Sequence, residues 1–182
     1  MKKFIVLLLV ALMIVGLFVS CKEEPKKEEP DGRTVEYVAE TLNDCFWIFH
    51  TYVDEYLQME KTAENFELLE EKIEEEFTET GANADASVTD SGISVYVSDD
   101  DNINTINASF TKLSIAEYVA KGDFSIKTSE RIAGASIKMD ATGSFEVDKT
   151  TGDRTIECTA VIVNGIDYKV EKINEALNKE IN

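Results

Sequence analysis

The stretch ASIKMDATGSFEVD, residues 135–148, decides the fold. Ala135, Ile137, Met139, Ala141, Gly143, Phe145 and Val147 are apolar or small, and they alternate with Ser136, Lys138, Asp140, Thr142, Ser144 and Glu146. Successive side chains of a strand point to opposite faces, so this pattern predicts one long strand with a dry face and a wet face. A sheet that is wet on one side is antiparallel, because parallel crossovers cover both faces. The same period runs through the neighbouring sequence. Ile93, Val95 and Val97 alternate with Ser94, Tyr96 and Ser98, and Ile106, Ala108 and Phe110 alternate with Asn107, Ser109 and Thr111. Apolar parity then moves to Leu113 and Ile115, which predicts a bulge or bend. Phe124 and Ile126 begin another strand. After the turn DKTTGDR (148–154), Ile156, Cys158, Ala160 and Ile162 return on the core face. Asn164-Gly165 is a two-residue hairpin signal, followed by a last strand with Ile166, Tyr168 and Val170. A closing helix carries Ile173, Leu177 and Ile181 on one stripe.

Composition changes abruptly upstream of TGANADAS (80–87). Residues 34–79 contain no glycine or proline, and their apolar positions recur at helical spacing. Val35, Val38, Leu42, Cys45, Phe46, Phe49, Val53, Tyr56 and Leu57 form one stripe, and Phe66, Leu69, Ile73 and Phe77 a second. A single helix over this segment would span roughly 70 Å at 1.5 Å per residue, too long for one domain. A break is expected near 60–63, with Thr62 as the second N-cap and Glu64 in its first turn. The predicted fold is therefore α+β: an N-terminal helical hairpin packed on one face of a curved antiparallel β-meander, with a short C-terminal helix. CFWIF (45–49) is apolar all round and should be covered on more than one side. Glu67, Glu70, Glu71, Glu74, Glu75 and Glu76 read as a solvated face.

Small residues on the last strands (Ala135, Ala141, Gly143, Cys158, Ala160) face large ones on the first helix (Phe46, Trp47, Phe49, Tyr52, Tyr56). Such pairing fills an interlayer space at normal density. The alternative is a hollow for a small apolar ligand lined by Phe46, Phe49, Ala141 and Cys158. Cys45 and Cys158 point into the same layer, either as a disulfide or as two buried free thiols.

The first twenty residues have the three parts of an export signal: Lys2 and Lys3, an apolar run over 4–15, and small residues leading to Cys21. FVSC (18–21) resembles the lipobox of bacterial lipoproteins, with Phe18 where leucine is usual. The resemblance implies cleavage before Cys21 and acylation of its thiol and amine, and two or three chains make membrane attachment stable. It also implies a location outside the inner membrane, on the periplasmic side or the cell surface. KEEPKKEEPDG (22–32) holds both prolines of the chain among lysines and glutamates and reads as a solvated tether. The organisation is thus signal peptide 1–20, acylated cysteine and tether 21–33, and a single α+β domain 34–182.

The chain of 182 residues carries 18 basic and 36 acidic side chains, and loss of Lys2 and Lys3 with the signal takes its balance from −18 to −20. Such a surface is repelled by phosphate backbones, which argues against nucleic-acid binding. His50 is the single histidine, on the most apolar part of the first helix, and Cys45 lies off its face. SFTK (109–112) matches a serine-lysine pattern in letters, but strict alternation puts Ser109 and Lys112 on opposite sides of a strand. SDDDNIN (98–104) lacks the glycine and bidentate acid of a calcium loop and reads as a hairpin loop. No phosphate loop, zinc pair or dinucleotide fingerprint is present, so no cofactor is expected. The expectation is a lipid-anchored envelope protein with a non-catalytic binding or structural role and an envelope protein as partner, or else a carrier or sensor of a small apolar ligand.

Overall fold

The computed structural model describes residues 32–132 and 135–179, so the expected signal segment, Cys21, residues 22–31 of the expected tether and Ile181 lie outside the described residues. Helix α1 (Gly32–Gln58) and helix α2 (Ala63–Thr78) are separated by the expected break. Thr62 caps α2: its backbone is extended and its side chain accepts the Asn65 N–H at 3.2 Å, which satisfies one of the donors a helix start leaves unpaired. Seven strands follow: β1 (Asn83–Thr89), β2 (Gly92–Ser98), β3 (Thr105–Ala116), β4 (Val119–Ile132), β5 (Ala135–Asp148), β6 (Arg154–Val163) and β7 (Ile166–Tyr168). Each pairs antiparallel with the next in one open sheet, and helix α3 (Val170–Lys179) closes the chain.

All three helices pack on the same face of the sheet. Helix α1 lies over the middle strands, α2 over β1, and α3 against β6 and α1. The Phe46 ring meets Phe110 of β3, Phe124 of β4 and Phe145 of β5 at 5.6, 5.0 and 5.5 Å. Two of these contacts are edge-on, the arrangement aromatic quadrupoles favour. Phe49 joins α1 to Phe77 of α2 and to Phe110. The glutamate face of α2 is only partly solvated: Glu70 and Glu74 accept the N–H groups of Val88 and Ala86 on the edge strand β1, and Glu76 accepts the Tyr52 hydroxyl.

Several positions depart from the sequence reading. Ala135, at the start of β5, is exposed because α1 does not extend over that end of the strand's core row, and Ile115, beyond the β3 bulge, is exposed as well. Ala160 is exposed while Val161 and Val163 are buried, because the β5–β6 register shifts between Thr142 and Gly143 and inverts the parity of β6. Val170 opens α3 instead of ending β7. Trp47 is 64 % exposed, turned away from the sheet. The bulge of β3 falls at Lys112, with φ 52°, so Lys112 reaches Asp123 on the wet face that also carries Ser109.

A Cβ at Gly143 would sit 2.1 Å from the Glu157 carbonyl oxygen and 2.7 Å from the Phe124 ring. Backbone cannot retreat as a side-chain tip can, so Gly143→Ala should destabilise the fold by about 1–3 kcal/mol. The denaturant midpoint should fall while the slope is retained.

Candidate functional site

Tyr37, Thr41 and Cys45 are spaced by four along α1 and share its inward face. On β4 the inward row reads Phe124, Ile126, Thr128, Glu130, all buried. Phe46 meets Phe124, whereas Tyr37, further back along the helix, acts on Glu130, further along the strand. Helix and strand therefore run antiparallel, and the apolar layer turns polar toward the start of α1. Glu130 is 4 % exposed and Tyr37 7 %. Tyr37 Oη, Thr128 Oγ1 and both carboxylate oxygens of Glu130 are buried without a hydrogen-bond partner. Most buried polar groups in folded proteins are paired, so four adjacent orphan oxygens stand out.

Burial pushes the Glu130 carboxyl up to about 7, with the Tyr37 hydroxyl pulling weakly the other way. The Tyr37 phenol is pushed up to about 12 by burial and by the Glu130 charge, against the Thr128 and Thr41 hydroxyls. On the flanking strands, Ile137 of β5 stands opposite Glu130, and Asn104, just ahead of β3, gives its side-chain oxygen to the Arg131 N–H. Cys45 is the other titratable group of α1 that feels Glu130. Among the described residues no cationic side chain acts on Glu130. Sequence reading missed this cluster because the strand was followed only to Ile126. Counting by two through Ser125, Lys127, Ser129 and Arg131 would have placed Thr128 and Glu130 on the core side.

The other candidates separate from one another. Phe46, Phe49, Ala141 and Cys158 are all buried, and the Phe124 ring occupies the space above Gly143. That close packing weighs against a ligand hollow there. Cys45 and Cys158 are free thiols, both buried. Burial raises the Cys158 thiol to about 12 and the Cys45 thiol further, helped by Asp44 and Glu130, so neither is poised as a nucleophile. His50 is exposed, stacked on Trp47 at 5.2 Å, with Nδ1 2.6 Å from the Trp47 carbonyl oxygen. Ser109 bonds Ser94 at 2.9 Å and Lys112 pairs with Asp123, so the serine and the lysine serve different partners. Asp99 accepts the N–H groups of Ile103 and Asn104 within its own hairpin loop. An open cleft of about 400 Å³ is lined by Thr51, Asp54, Glu55, Gln58 and Met59. Its two carboxylates are paired with Lys149 and Lys72.

The uncovered face of the sheet is polar and ordered by its own pairs. Lys127–Asp140 and Lys121–Glu146 sit directly across β4 and β5. Ser94–Ser109 and Thr142–Thr159 link neighbouring hydroxyls, and Tyr96 stands among them. Among the described residues no helix is long and apolar enough to cross a membrane, and no three His, Cys, Asp or Glu side chains are placed to hold a metal ion. Compared with protein-family models, curated proteins and solved structures, the chain matches none.

Two outcomes follow from the buried groups. The Glu130 carboxyl titrates near 7 in the folded chain, above its ordinary 4.5, so the folded state holds the proton more tightly. Its stabilising effect is complete below about pH 4.5 and is lost as pH rises through about 7. Comparing denaturant midpoints of wild type and Glu130→Gln across that window, in buffers whose cation is N-methylglucamine, should show about 3 kcal/mol of extra pH dependence in the wild type. For the thiols, a small alkylating reagent should leave Cys45 and Cys158 unmodified in the native chain and modify both after unfolding, as read by intact mass.

Proposed function

We propose that this chain is a lipid-anchored bacterial envelope protein, held by acyl chains on Cys21, whose role is to bind another envelope component. The observation that carries this reading is the asymmetry of the sheet: among the described residues every helix lies on one face, which leaves the other face uncovered by them across β2 to β5. A surface of paired charges and hydroxyls suits reversible recognition, because its polar groups already hold one another while it is free. Helix α1 begins where the tether ends, so the acylated cysteine attaches at the Tyr37–Glu130 end of the fold. The β3–β4 turn, with Tyr118 exposed, lies at the other end beside the β5–β6 turn, since Lys149 donates its N–H to the Tyr118 carbonyl oxygen. The acidic balance favours a partner with a cationic surface.

Nothing in this role requires a reaction. The free thiols are buried, His50 bonds only within its own helix turn, and the cleft carboxylates are neutralised by lysines.

Cys21→Ser should abolish incorporation of labelled palmitate and release the chain from the membrane fraction of its own cells. A photo-crosslinking residue placed at Tyr96 or Ser125, on the open face, should give a discrete adduct in those cells. The same group at Glu67 or Glu71, on the outside of α2, should give none. Equal adducts from both sets, or none from the sheet, would reject the open face as the binding surface.

A further inference from the structure

We propose that Tyr37, Thr128 and Glu130, with Thr41 beside them, form a binding site for one desolvated monovalent cation of sodium or potassium size between α1 and β4. Four oxygens from three side chains are buried there with no partner: Tyr37 Oη, Thr128 Oγ1, and Oε1 and Oε2 of Glu130. The Tyr37 and Thr128 hydroxyls each carry a proton, but at the observed separations neither closes a hydrogen bond to Glu130 or to the other. A cation takes all four oxygens at once, and hard oxygen donors are what such ions select.

Charge selects the valence. The site offers one carboxylate and neutral hydroxyls, so a monovalent ion makes it neutral. A divalent ion would leave a net positive charge in a dry interior, where uncompensated charge is most costly. Size sets a separate limit. These oxygens have essentially no exposed surface, so the space between them is smaller than a water molecule needs. The Thr128 and Thr41 hydroxyls still act on Tyr37, and Tyr37 on Glu130, so the groups are neighbours that leave a gap between their oxygens. A bare sodium ion, smaller than a water molecule, fits such a gap as it stands, and a bare potassium ion, about the size of a water molecule, fits once the oxygens move apart slightly. Occupied, the site would tie the first turns of α1 to β4 at the end where the tether enters.

The test is thermal unfolding of the full chain in detergent at pH 8, in sodium, potassium or N-methylglucamine chloride at equal ionic strength. With the ion near one hundred times its dissociation constant, wild type should melt about 5 °C or more higher in sodium or potassium chloride than in N-methylglucamine chloride. Glu130→Gln should melt alike in all three salts. If that variant does not fold, Tyr37→Phe, which removes one oxygen and keeps the ring, should cut the difference by half or more. Equal melting of wild type in the three salts overturns the site, as does an undiminished difference in the folded variant. A larger shift with calcium chloride, lost in Glu130→Gln, would overturn the monovalent assignment.

Discussion

The depth at which Phe46 enters the sheet fixes the rest of the structure. Its ring touches phenylalanines from three consecutive strands, and two of those rings, Phe124 and Phe145, lie close to the sheet because glycines give them room. At Gly143 the neighbour is the Phe124 ring, and at Gly122 it is Phe145 together with Leu113. Each ring thus lies over a strand position that has no Cβ. The aromatic layer is thin enough for α1 to settle over β3, β4 and β5, and α2 and α3 then take the space on either side. Removing the space at one glycine would lift a ring, the helix above it, and the contacts of its neighbours.

An open sheet also has edges, and unpaired strand edges invite pairing with other chains. Here the flanking helices close them with side chains. Four residues of helix rise about 6.0 Å and two residues of strand about 6.6–6.8 Å, so an i, i+4 pair on a helix can meet an i, i+2 pair on a strand. Glu70 and Glu74 do this on β1, where as carboxylates they accept N–H groups. On β6, which β7 covers only from Val161 to Val163, Asn174 and Asn178 do the same. An amide both donates and accepts, so each asparagine takes the N–H and the C=O of one residue, Cys158 and Ile156 respectively. Smaller steps are closed likewise, by Asn104 at Arg131 and Asn164 at Lys138.

What was legible in the sequence was what is local. The helix break, the Thr62 cap, the Asn164-Gly165 turn and the bulge after Thr111 all follow from neighbouring residues whose own chemistry fixes the backbone. What was not legible depends on partners far along the chain. Ala160, Val161, Ile162 and Val163 are apolar in both parities, so no alternation could reveal that β6 bulges and turns Val161 inward. Trp47 belongs to an apolar run on a helix, and only the position of the sheet decides that its direction is outward. Glu70 and Glu74 look like their solvated neighbours until β1 is placed beside them. Glu130 was missed for a related reason: a charged residue reads as an outward one, although its place in the period of β4 is inward.

That inward place bears on what the cluster is for. A carboxylate among apolar neighbours costs stability unless something compensates it, and an apolar side chain of similar volume would avoid the cost. Glu70 and Glu74 are compensated, since they close an edge. Glu130 has the Tyr37 hydroxyl beside it, but at a separation that closes no hydrogen bond, and that phenol and the Thr128 hydroxyl are likewise unpaired. Packing therefore gives no reason for the core row to change from Phe124 and Ile126 to Thr128 and Glu130. The change comes at the end of the fold where α1 begins, which on the proposed anchoring is the end nearest the membrane. A device that alters the hold of α1 on the sheet would have to be built there, from groups whose cost is relieved only when something binds.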